Sequence, residues 1–138
     1  MSVHFFSEGI DFTLPHPRKT SNWVNSVIKK EKKSLISVNY VFCTDSYLLQ
    51  MNQDYLHHDT LTDIITFDYS QKSKLEGEIY ISIDRVKENS DVFNRPFDEE
   101  LHRVIIHGIL HLAGYKDKSK AEKALMRKKE DAYLSLRK

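Results

Sequence analysis

The residues of this chain best suited to chemistry lie in one short run, His107-Gly108-Ile109-Leu110-His111-Leu112-Ala113-Gly114-Tyr115-Lys116-Asp117. His107 and His111 are four residues apart, which on a helix places both imidazoles on one face, one turn apart. Gly114 falls where such a helix would end, because glycine takes the left-handed conformation of a helix C-terminus without penalty. A turn at that point carries Asp117 back towards the two imidazoles. Two imidazole nitrogens and a carboxylate make three ligands for a zinc ion that keeps its fourth position for water, the arrangement of a catalytic site rather than a closed structural one. The competing reading is a polar stripe, or a pair of satisfied core histidines. From Val104 to Ala113, however, the run is apolar almost all round, so the segment is expected to be buried. Buried imidazoles need partners, and a shared metal ion supplies one.

The elements that must position this run can be taken in order. Val3 to Phe6 is a short apolar strand, and Thr13 to Lys19, with Pro15 and Pro17, reads as a loop. Thr20 or Ser21 can cap a helix in which Trp23, Val24, Val27 and Ile28 share a face, with Lys29, Lys30, Lys32 and Lys33 near the end where the dipole favours cations. The strict alternation of Ile36, Val38, Tyr40 and Phe42 predicts a half-buried strand. Asp45 is placed to cap a second helix carrying Leu48, Leu49, Asn52 and Tyr55. A polar connection over residues 57–63 leads into a strand at Ile64-Ile65-Thr66-Phe67. A polar turn from Gln71 to Glu76 follows, and Ile79, Ile81 and Ile83 alternate in another strand.

Asp84 can start a short helix bearing Val86, Val92 and Phe93. Pro96 marks the entry to the histidine helix, whose first turn holds Asp98, Glu99 and Glu100 as the dipole prefers. Ser119 to Glu122 is a capping-box pattern that opens a last helix, with Ala121, Leu125, Ala132 and Leu136 as its packing residues. Early strands, a hairpin and a helical second half predict an α+β fold: a small mixed β-sheet of about four strands covered by about five helices, with the metal site on a central buried helix.

At 138 residues the chain fits a single domain, 1–138, large enough to bury a core without disulfides. Cys43 is its only cysteine, which excludes an intramolecular disulfide and fits a reducing compartment. The N-terminus lacks the basic and apolar regions of a signal peptide, and no apolar run approaches the length of a membrane span. A cytoplasmic protein with no membrane partner is expected. The net charge is +1 but uneven, with 10 basic against 4 acidic groups in residues 101–138 and 5 against 13 in residues 44–100. A basic flank beside the histidine helix suits an anionic partner such as nucleic acid; a solvated helix face has the same composition.

Two motifs resemble those of the YbeY family of bacterial endoribonucleases, the ribosomal RNA maturation factors. The family signature His-Gly-x-Leu-His-Leu-x-Gly-Tyr-Asp-His is similar to residues 107–117. A second signature, Asn-x-x-Tyr-Arg-x-x-Asp-x-Pro-Thr-Asp-Val-Leu-Ser-Phe, is matched between Asn52 and Phe67, keeping Tyr55, Asp59, Thr62 and Asp63. Gly77-Glu78-Ile79 resembles the family's Gly-Asp-Ile strand start. The family's third histidine is Asp117 here and the residue before it is Lys116. The family's arginine after the tyrosine is Leu56, and its proline is Leu61.

The resemblance implies a zinc-dependent, single-strand endoribonuclease with His107, His111 and Asp117 as metal ligands. Its implied substrate is precursor ribosomal RNA near the 3′ end of the small-subunit RNA, and its implied partners are ribosomal particles or ribosomal proteins. The metal would polarise a phosphoryl oxygen or acidify its bound water. Asp63 and Lys116 are the candidate catalytic residues beside the metal. Asp63 would serve as an acceptor near the ion, or else simply bond the backbone of the turn before its strand. Lys116, like His57 or His58, could take over the phosphate contact of the missing arginine; Lys118, Lys120 and Lys123 extend the same basic stretch.

Two other functions compete. A zinc peptidase of the His-Glu-x-x-His type also has two histidines four apart, but it needs a glutamate where Gly108 stands. A metal-stabilised ribosome-assembly factor without catalysis would bind RNA or a ribosomal protein, and the absence of the family's arginine at Leu56 suits it.

Overall fold

The computed structural model describes residues 2–57 and 61–137; His58 and Asp59, named above, lie outside them. The chain runs β1 (Ser2–Ser7), α1 (Pro17–Lys30), β2 (Ser34–Cys43), α2 (Asp45–Leu56), β3 (Ile64–Asp68), β4 (Lys74–Ser82), α3 (Ile83–Val92), α4 (Phe97–Leu112) and α5 (Lys120–Leu134). The strands form a mixed sheet in the order β1-β2-β4-β3. β1 and β4 flank β2 in parallel, and β3 returns antiparallel to β4 as the expected hairpin. Among the described residues this is the α+β arrangement of four strands and five helices that the pattern predicts.

The histidine helix α4 is the centre of the larger core. Ile105, Ile106, Ile109 and Leu110 are fully buried, packed with residues of α1 and of β2 and β4. Two contacts set α4 on the sheet. The Tyr40 hydroxyl of β2 donates to the Ile105 carbonyl at 2.8 Å. Gly108 lies so close to the hairpin that a methyl group there would stand 2.9 Å from Ile79 Cδ1 and 3.1 Å from Ile64 Cδ1. Only a residue without a side chain lets this turn of α4 rest on β3 and β4. A smaller cluster of Cys43, Leu48 and Ile65 holds α2 to the sheet.

Several boundaries differ from the sequence expectation, each for a local reason. α1 begins at Pro17, inside the expected loop, because proline's fixed φ suits the first helical position and His16 takes the left-handed conformation before it. Thr20 is therefore a buried helix residue and not a cap. Thr44 caps α2 in place of Asp45, accepting from the Tyr47 N–H, and Asp45 pairs with Arg85 at 3.2 Å. Ser82 caps α3 in place of Asp84, so Ile83 opens that helix instead of closing β4. A register shift between Leu35 and Ser37 turns Leu35 inward where alternation predicted Ile36.

α5 keeps its predicted capping box at Ser119 and Glu122. It packs, however, through Met126, Glu130 and Tyr133, leaving Leu125 and Leu136 exposed along with Ala121 and Ala132. The orientation follows from charge. Arg103 of α4 is buried and needs anions, and α5 is turned so that Glu130 and Asp131 pair with its two terminal nitrogens at 2.9 and 2.7 Å. No helix among the described residues is long and apolar enough to cross a membrane.

Candidate metal centre

α4 ends at Leu112, and Gly114 with φ 108° turns the chain away while its N–H donates to the His111 carbonyl at 3.0 Å. The following residues bring Asp117 back over the helix face, as the spacing predicts. His107 Nε2 and His111 Nε2 lie 3.0 Å apart, and Asp117 Oδ2 is 3.2 Å from the first and 3.3 Å from the second. Ligand atoms bound at about 2.0–2.1 Å to a tetrahedral zinc stand about 3.3–3.4 Å from one another. The three atoms thus form a triangle of the size that one small cation would draw together, and His107, His111 and Asp117 can hold a metal ion.

Hydrogen bonding on the far side of each ring decides which atoms face the triangle. His107 Nδ1 lies 2.6 Å from Glu130 Oε2, and His111 Nδ1 lies 3.0 Å from the Tyr115 carbonyl oxygen. Both partners are acceptors, so each Nδ1 carries a proton and each Nε2 turns a lone pair inward. Three acceptors converge on one point, and only positive charge relieves their repulsion. The local field agrees. Burial pushes the His107 pKa down, but the Glu130 hydrogen bond and the charges of Glu130, Asp117 and Asp63 outweigh it and leave it raised.

Glu130 is the residue that sequence reasoning missed. It is buried, its other oxygen accepts from Arg103, and it orients His107 in the manner of carboxylates behind metal-bound histidines. Its only sequence signal was its position: Glu130 follows Met126 by four residues and precedes Tyr133 by three, on the one stripe of α5 that meets α4.

The triangle opens into a cleft of about 690 Å³ lined by β3 residues, Asn52 and Leu56 of α2, and Asp63. Asp63 is half-buried at the entry to β3, where burial raises its pKa against the lowering pull of His107 and of hydrogen bonding to its own backbone. Asp63 thus lines the same cleft as His107, His111 and Asp117. Lys116 is exposed and does not line the cleft, whereas Lys118 does. Leu56, at the position of the family's arginine, lines it as well. His57 is exposed and caps α2 in the left-handed conformation.

The family model described as "Endoribonuclease YbeY" matches residues 10–137. A protein named "Endoribonuclease YbeY" from Cytophaga hutchinsonii is 54% identical over 138 residues, covering 99% of this chain and 96% of that one. One of the same name from Flavobacterium psychrophilum is 57% identical over 131 residues, 95% of this chain and 94% of its own. The solution structure of a Thermotoga maritima protein superposes with a TM-score of 0.69 at 29% identity, over 96% of this chain and 87% of that one.

Proposed function

The chain belongs to the YbeY endoribonuclease family, and from that membership we propose that it is a zinc-dependent, single-strand endoribonuclease of the cytoplasm. In this reading residues 1–138 act as one catalytic domain that processes ribosomal RNA, maturing the 3′ end of the small-subunit RNA on ribosomal particles. The observation that carries the proposal is the triangle of His107 Nε2, His111 Nε2 and Asp117 Oδ2 at the floor of an open cleft. A zinc ion bound there supplies Lewis acidity towards a phosphodiester oxygen and an attacking water.

The chain's own residues do the rest. Glu130 and the Tyr115 carbonyl keep both imidazoles turned to the ion. Lys118, on the cleft wall, meets substrate phosphate in place of the exposed Lys116. Asp63, a less acidic carboxylate than usual, accepts the proton that the attacking water gives up.

The peptidase reading loses ground on geometry. Position 108 has no carboxylate and is wedged against Ile79 and Ile64, facing the sheet. Purified protein loaded with zinc should cut single-stranded RNA, lose that activity in a chelator, and lack it in His111→Ala. Ribosomal-particle binding without metal-dependent cleavage would instead support the assembly-factor function.

A further inference from the structure

The metal triangle stands between two openings. One is the cleft along β3 and α2; the other is a groove of about 360 Å³ walled by α3 and α5, and Asp63, His107 and Asp117 line both. A polymer crossing the triangle fills both openings and places a nucleotide on each side of the attacked phosphodiester.

The second groove suits a base better than a phosphate. Arg103 is matched to Glu130 at 2.9 Å and Glu100 to Arg95 at 3.5 Å, and the further charged groups beside them, Asp63 and Asp117, are acids that do not attract a phosphate. On the α3 wall the Asn89 amide is half-buried and has no hydrogen-bond partner among the described residues. Half-exposed and without a partner among those residues, the amide is open to the donors and acceptors of a ligand. One helical turn on, Phe93 is 55% exposed, with the Arg95 guanidinium 5.5 Å from its ring centroid. That leaves an aromatic surface beside the unpaired amide. Across the groove, Arg127 of α5 is exposed and has no ion pair among the described residues. An aromatic surface, an unpaired amide and a spare cation are what a single-stranded nucleotide needs for its base, its base edge and its phosphate.

We infer that this groove is a nucleobase subsite: the base adjoining the scissile phosphodiester stacks on Phe93 and bonds the Asn89 amide, and the next phosphate reaches Arg127. The inference rests on the endoribonuclease reading above and adds to it the residues that grip one flanking nucleotide. Stacking on one aromatic ring contributes about 5- to 150-fold in binding.

The test uses the full chain loaded with zinc and a fluorescent single-stranded oligoribonucleotide whose cut position has been mapped on the wild type. Two further substrates carry an abasic nucleotide on one side or the other of that cut. Phe93→Ala should lower kcat/KM on the intact RNA by about 5- to 150-fold, chiefly through KM. Phe93→Trp should restore it, and zinc affinity should match the wild type in both variants. On the substrate abasic at the stacked position, Phe93→Ala and wild type should converge. A Phe93→Ala enzyme that handles intact RNA like the wild type overturns the subsite, as does a loss of equal size on both abasic substrates. A wild type that holds zinc yet neither cuts nor binds the oligonucleotide withdraws the endoribonuclease reading and the subsite with it, a failure seen before any variant is made.

Discussion

Glu130 Oε2 lies 2.6 Å from His107 Nδ1, so a carboxylate on the last helix fixes the ring orientation of a histidine on the central one. Its other oxygen is 2.9 Å from Arg103 Nη1, which keeps the carboxylate ionised: burial alone would raise the Glu130 pKa, but His107 and Arg103 hold it below the usual range. Glu130→Ala should weaken zinc binding by about 10- to 100-fold, the usual cost of losing a partner behind a metal-bound histidine. It should also cost about 1–3 kcal/mol of stability, because Arg103 loses its buried partner and keeps only the exposed Asp131. Competition against a chromophoric chelator measures the first and urea denaturation the second. Wild-type zinc affinity in the variant would remove Glu130 from the site.

Gly108 sets how closely α4 approaches the hairpin, with Ile79 Cδ1 at 2.9 Å from where a methyl group would sit. Gly108→Ala should therefore cost about 1–3 kcal/mol, the range for overpacking a filled core, even though alanine is the better helix former. Urea denaturation should show a lower midpoint at unchanged slope; a rise in stability would mean that helix propensity outweighs the contact.

How much of this was legible in the sequence depended on whether a residue's role was local. The spacing of His107, His111 and Gly114 encodes a helix face and its end, and Asp117 follows from the turn, so the convergence of these three side chains could be read directly. The capping box at Ser119 and Glu122 is equally local. The buried face of α5 was not legible, because Leu125 and Leu136 are the more apolar choices. What overrides them is a charge on another helix, Arg103, 27 residues before Glu130. The bulge in β2 escaped for a similar reason: Leu35 and Ile36 are equally apolar, and pairing with β4 decides between them.

Glu31 is an acidic residue at the C-cap of α1, where the helix dipole disfavours it, among Lys29, Lys30, Lys32 and Lys33. Its reason is distant. The Tyr115 and Tyr133 hydroxyls and Lys129 Nζ all donate to its carboxylate, tying α1 to α5 and to the residue whose carbonyl accepts the hydrogen bond of His111 Nδ1. Glu31→Gln should lose about 1.5–3 kcal/mol as these charge-assisted bonds weaken. Thermal denaturation with Tyr133→Phe and the double variant should reveal coupling between the two sites. Strictly additive losses would show that they act independently.

His102 should make the fold acid-sensitive. Burial, and then the Arg137 charge, depress its pKa from 6.5 to about 4. The ring is neutral in both folded and unfolded chains above about pH 6.5. Between there and about pH 4 the unfolded chain binds a proton that the folded one does not, so stability falls as pH falls through this window. His102→Gln should lose less stability than the wild type between pH 7 and pH 5 in urea titrations. Parallel losses in the two proteins would place the sensitivity elsewhere.

Asp117 Oδ2 stands 3.2 and 3.3 Å from the Nε2 atoms of His107 and His111, the placement of a third metal ligand. The most direct measurement is zinc stoichiometry and affinity in purified wild type, Asp117→Ala and Asp117→His. The wild type should bind one ion per chain, Asp117→Ala should bind far more weakly, and Asp117→His should retain the ion, because an imidazole nitrogen can replace a carboxylate oxygen at nearly the same bond length. Unchanged stoichiometry and affinity in Asp117→Ala would contradict this ligand set, leaving two histidines without Asp117 as the third.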